Sequence, residues 1–206
     1  MAGPDPGPFS KFAQFVAVTR ERHIGRDLAD NPKPYVPLSA LEEYWTAARI
    51  SGVLGAFPRR LDISVGVIRR SYLRIFSTLV YTNPEAVRSL ADLFISHNLT
   101  DERLPWSSRP SEWPNAPFFN NFFEQIAGNQ WQFFPFRFHP DELQNRLVRD
   151  HLVLPIDFTE DIAHGTAASV RAFVIHPGYN ELVTKVRFHF NLPIFDSISS
   201  QIHASG

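Results

Sequence analysis

The chain has 206 residues, enough for one ordinary domain or somewhat more, and at 44% hydrophobic and 14% aromatic it can bury a substantial core. Nineteen phenylalanines exclude a disordered chain. A formal net charge of −1 gives no footing to a nucleic-acid or acidic-membrane partner, and the lack of cysteine excludes disulfides and thiolate zinc sites. The sequence holds no run of about 18 apolar residues, so no spanning helix is expected. The opening Met-Ala-Gly-Pro-Asp-Pro-Gly-Pro lacks the basic and apolar regions of a signal peptide, so the cytoplasm is the expected compartment, with the nucleus left open.

Seventeen prolines cut the chain into short elements. Residues 1–8 read as a flexible Pro/Gly tail. A helix is expected from Phe9 to Leu28, with Phe12, Phe15, Val16 and Thr19 at helical spacing and Ser10 as its cap. The prolines of Asp30 to Pro37 predict a linker without regular pairing. Ser39, with Glu42 three residues on, reads as a capping box for a helix running to Ile50 or Leu54, ended by Gly55 and Pro58. The strongest periodicity predicts one helix over Ile63 to Tyr81, with Val67, Ile68, Tyr72, Ile75, Phe76, Leu79 and Val80 on its apolar face. Arg69, Arg70 and Arg74 are assigned to its other, solvated side; a phosphate-binding patch is the sharper alternative.

Asn83-Pro84 starts a further helix ending near His97-Asn98, and the two make a helical hairpin. Residues 99–117 are irregular, and Trp106 and Trp113 anchor that loop onto the helices. A helix over Phe118 to Trp131, an extended Gln132 to Phe138 and a short helix from Pro140 to Leu147 complete the helical part.

Eight histidines invite a metal reading, but no two stand at i, i+3 or i, i+4, so no ligand pair shares a helix face. The sequence has neither a G-x-S-x-G nucleophile elbow nor a G-x-x-x-x-G-K-[ST] phosphate loop. Asp101, Glu102, Asp141 and Glu142 sit beside helix starts, where capping and dipole compensation explain them better than acid–base catalysis.

The stretch from Leu154 to His176 reads as strand, tight turn, strand. Phe158 and Ile162 lead in, His164-Gly165-Thr166 makes the turn, and Val170 to Ile175 leaves it. On the kinase glycine-loop pattern G-x-G-x-x-G-x-V, the positions fall on Ala163, Gly165, Ala168 and Val170. Only the central glycine is kept. Alanine at the other two adds a methyl and discourages positive φ, which weakens phosphate cover. A plain β-hairpin explains the same residues.

Several pieces in order carry a wider likeness: Tyr35-Val-Pro-Leu-Ser-Ala-Leu-Glu-Glu-Tyr-Trp45, Tyr72 to Tyr81, Asn98 to Pro105, Gln130-Trp-Gln-Phe-Phe-Pro-Phe136, Leu154-Pro-Ile156, Ile162 to Val170 and His176-Pro-Gly-Tyr-Asn-Glu-Leu182. Over roughly residues 33–184 the sequence resembles the N-terminal region of a large family of fungal protein-kinase-like proteins. The resemblance implies a helical region leading into a kinase fold, with Gly165 the central glycine of the loop and Val170 packing on the adenine. It also implies that a degenerate loop is typical. The strand lysine, H-R-D and D-F-G elements do not follow: Lys185 is the only lysine after the loop, and Val183-Thr-Lys-Val186 is not V-A-I-K. Arg187 to Gly206 resembles no part of the family, which implies truncation or altered splicing.

The expected fold class is α+β: a flexible tail at 1–8, a helical accessory region at 9–147, a partial kinase-like antiparallel β piece at 152–190 and an irregular tail at 191–206. The expected function is that of a truncated protein-kinase-like chain with no catalysis of its own. The nucleotide loop is placed at Ala163, His164, Gly165, Ala168 and Val170, and ATP is expected only if a complete kinase domain follows. The alternative is a stand-alone helical protein-interaction module. A protein partner is expected, nucleic acid and membrane are not, and an exposed strand edge favours self-association.

Overall fold

The computed structural model describes residues 6–27, 29–58, 61–115, 117–139, 152–164, 168–182 and 190–193. The architecture is α+β, with two compact units: residues 1–23 with 34–134, and residues 24–33 with 135–206. The helix expected at Pro140 to Leu147 lies outside the described residues.

The first unit is helical: α1 (Pro8–Arg22), α2 (Leu38–Tyr44), α3 (Ala47–Gly55), α4 (Val65–Ser71), α5 (Leu73–Thr82) and α6 (Pro117–Asn129). Its centre is α5, which buries Leu73 to Val80 without interruption. A helix buried on all sides belongs inside a bundle, and α1, α2, α4 and α6 all pack on this one. Trp45 joins the layers: its ring lies 4.6 Å from that of Phe12 and 4.9 Å from that of Phe76, and its Nε1–H donates to Ser77 Oγ at 2.9 Å. Ser77 and Thr78, buried inside α5, donate back to Leu73 O at 2.7 Å and Arg74 O at 2.9 Å, so neither hydroxyl is left unsatisfied.

Several boundaries differ from expectation. The chain enters α1 at Pro8, whose fixed φ suits a first helical position, so the tail ends before it and Ser10 lies inside the helix. That helix stops at Arg22 rather than Leu28. Ser39 lies inside α2, which Pro37 precedes without a side-chain cap. The helix expected to continue to Leu54 breaks at Trp45, and Thr46 caps the next one by accepting from Arg49 N at 3.3 Å.

The expected helix over Ile63 to Tyr81 is two helices, broken at Tyr72 (φ −137°). Arg74, expected in solvent, is 7% exposed, with its guanidinium 4.8 Å from the Phe134 ring centroid. Asn83 caps a 3₁₀ turn at Pro84–Arg88, accepting from Glu85 N at 3.1 Å, and a π-helical segment follows at Leu90–Ile95. Asn98, at φ 52°, turns the chain out of it.

The loop after Leu99 is anchored as its tryptophans suggest. Trp106 and Trp113 are buried against Phe94, with Trp113 also against Phe122 and Phe123. The Gln130 amide, 1% exposed, clasps the backbone of Trp106: its Oε1 accepts from Trp106 N and its Nε2 donates to Trp106 O, both at 2.9 Å.

The second unit holds the strands. Residues 24–33, assigned from sequence to a helix end and a linker, form a two-stranded pair, β1 (Ile24–Arg26) with β2 (Pro32–Pro34). Prolines are tolerated at the ends of so short an edge strand. Arg26 and Leu154 exchange both backbone hydrogen bonds, at 2.8 and 2.7 Å, and the backbone carbonyl of Leu154 lies against Gly25, where no Cβ has room. Asp27 ties the connecting loop, its Oδ1 accepting from Ala29 N at 3.0 Å and Asn31 N at 2.8 Å.

A three-stranded antiparallel sheet follows, in the order β3 (Ile156–His164), β4 (Ala168–Ile175), β5 (Phe190–Pro193). The tail expected to be irregular from residue 191 therefore supplies a strand. Phe136, Phe138, Leu152, Val153, Ile156, Ile175 and Tyr179 are buried in this unit.

Candidate functional site

The loop singled out by sequence sits at the tip of the β3–β4 hairpin. In the register, Ala163 faces Val170 and His164 faces Ser169, with an irregularity between Asp161 and Ala163. Such a bulge bends and twists a strand. On the other side of β4, Ala168 faces Pro193 and Val170 faces Asn191. Four of the five expected loop residues, Ala163, His164, Ala168 and Val170, are thus placed where the hairpin closes. Gly165 lies outside the described residues, as does Lys185. The third strand reads Phe-Asn-Leu-Pro, with no lysine or arginine among these described residues.

The piece His176-Pro-Gly-Tyr-Asn-Glu-Leu182, which follows the hairpin, has a structural task. His176 Nδ1 accepts from Gly178 N at 3.2 Å and so caps the 3₁₀ turn Pro177–Tyr179. Phe138 N donates to Tyr179 O at 2.9 Å, Glu181 N donates to Phe138 O at 3.0 Å, and Arg137 pairs with Glu181 at 3.3 Å. These bonds tie the exit of the hairpin to the extended segment at Phe136–Phe138.

The most perturbed carboxyl lies in the helical unit. The sequence places Asp101 beside a helix start, in a capping role. Its oxygens accept from Arg74 N at 2.9 Å and Ile75 N at 3.0 Å, donors at the start of α5 that have no partner within that helix, so the helix it caps lies far upstream in sequence. Burial pushes its carboxyl up to about 6, against the downward pull of those N–H groups and the Arg74 charge. Burial, followed by the nearby Asp101 charge, also raises the Tyr72 phenol. The cluster caps a buried helix, and its chemistry is fully used in doing so.

Sequence reading missed a groove of the helical unit, between α1 and the wall formed by the end of α2 and α3, with a cavity of about 610 Å³. Lys11, Phe15 and Val18 recur at helical spacing on α1, a signal that was available. The facing wall, from Tyr44 to Val53, is fixed only by packing. Among the described residues, no helix is long and apolar enough to cross a membrane. Compared with models of known families, with curated proteins and with solved structures, the chain matches none.

Proposed function

We propose that the chain is the helical accessory region and incomplete nucleotide-binding lobe of a protein-kinase-like protein, of the fungal family that its sequence resembles, and that these 206 residues do not transfer phosphate by themselves. The observation that carries this reading is the antiparallel sheet in the order β3-β4-β5, with Ala163 opposite Val170 where the first hairpin closes. A loop of small residues at the tip of a hairpin is where a glycine-type phosphate cover would sit, which supports the reading. Small residues at 163 and 168 let backbone N–H groups approach an anion, less closely than glycine would.

The rest of the chemistry is absent from the sequence. The described part of the strand beside β4, Phe190–Pro193, has no lysine for the α- and β-phosphates, and the sequence has no H-R-D or D-F-G element to supply a base or magnesium ligands. A nucleotide held at the hairpin would thus lack both its charge partner and its metal. The test is incubation of the purified chain with magnesium and γ-labelled ATP, alone and with a generic protein substrate. No label should reach either protein. Label transfer that scales with the amount of chain would overturn the non-catalytic reading.

A further inference from the structure

We propose that the groove of the helical unit binds an acidic amphipathic helix of a partner protein. One wall is the face of α1 from Pro8 to Val18, a run of about 15 Å at helical rise. The other is the end of α2 with the face of α3 from Arg49 to Val53. Trp45 and Val53, 1% and 0% exposed, form an apolar floor, while Val18 at the rim is 42% exposed. Two helical walls with ridges at i, i+3, i+4 and i+7 form the kind of trough into which a third helix seats its own ridges. Three turns of helix match the length.

The charge on the rim sets the sign of the ligand. Lys11 and Arg49 line the groove, and among the described residues no carboxylate does. Arg49 is held ready: its guanidinium lies 4.3 Å from the Tyr44 ring centroid, and its Nη1 donates to Tyr44 O at 2.8 Å. It is exposed and forms no ion pair among the described residues. A stacked, pre-placed guanidinium beside an apolar trough is suited to a carboxylate carried on an apolar helix. Gly52 keeps the wall low, since a Cβ added there would meet nothing within 4 Å.

The probe is a fluorescein-labelled helical peptide of about 15 residues, with leucines at i, i+4, i+7 and i+11 and glutamates on the flanks. Its counterpart has lysine for every glutamate. Polarisation with the full chain should saturate for the acidic peptide, at least about tenfold more tightly than for the basic one. Gly52→Phe fills the trough and should abolish binding with an unchanged melting temperature. Arg49→Glu should weaken binding by about tenfold or more, even if the phenylalanine variant fails to fold.

No saturation up to about 1 mM, equal affinity for the two peptides, or full affinity in Arg49→Glu would overturn the proposal. So would concentration-dependent dimerisation that Gly52→Phe abolishes, which would give the groove to a second copy of the chain.

Discussion

Asp101 shows how one side chain can decide where an element begins. The residues that carry the first donors of α5 are buried, and Tyr72, just before the helix, supplies no side-chain cap. A carboxylate some 27 residues downstream accepts from them instead. The arrangement carries a pH signature. In the unfolded chain the carboxyl titrates at its ordinary value of 3.8, and in the fold at about 6. Below both values the group is neutral in both states and its burial costs nothing extra. Above both it is ionised in both states and the fold bears the cost of the buried charge. Stability is therefore lost as pH rises from about 4 to about 6, by at most about 3 kcal/mol, since the residue keeps some contact with solvent. Asp101→Asn keeps an acceptor without the titration. Urea unfolding at several pH values should show the native chain losing ground to this variant across that window, and parallel curves would contradict the assignment.

Between elements, β1 comes against the backbone of Leu154 with no room to spare at Gly25. A methyl group on Gly25 would lie far inside van der Waals contact with the Leu154 carbonyl, which cannot move without breaking its bond to Arg26 N. Gly25→Ala should lower stability by about 1–3 kcal/mol, read as an earlier urea midpoint. Gly52→Ala, with open space around its new methyl, is the control and should not lower it. A Gly25→Ala midpoint equal to that of the native chain would rule out this packing.

The same contrast explains what could be read from the sequence. Local signals placed the start of α1, the whole of α6 and the β3–β4 hairpin to within a few residues, because each is announced by its own periodicity or turn residues. The break at Tyr72 was not legible: apolar spacing runs straight through it, and the residue that caps the second helix is Asp101. The β1–β2 pair was hidden for a similar reason. Its prolines argue against pairing, while its support at Leu154 lies over a hundred residues away. Of the candidate loop, the hairpin was legible from β-branched content, while its register and bulge were not. The groove between α1 and α3 was not, since its walls meet only through packing.

For the molecule as a whole, the two units divide the work. The helical unit is a closed aromatic core with an acidic-peptide groove as its proposed surface function. The β unit carries the hairpin that we read as a kinase-type phosphate loop lacking two glycines. A plain hairpin and a weakened phosphate loop respond differently when the glycines are restored. The decisive measurement is an amide-resolved NMR titration with Mg·ATP, on the native chain and on the double variant Ala163→Gly/Ala168→Gly. The kinase-like reading predicts weak shifts confined to residues 163–170 in the native chain and several-fold tighter binding at the same amides in the variant. Shifts elsewhere, or equal and unlocalised responses in the two proteins, would contradict it.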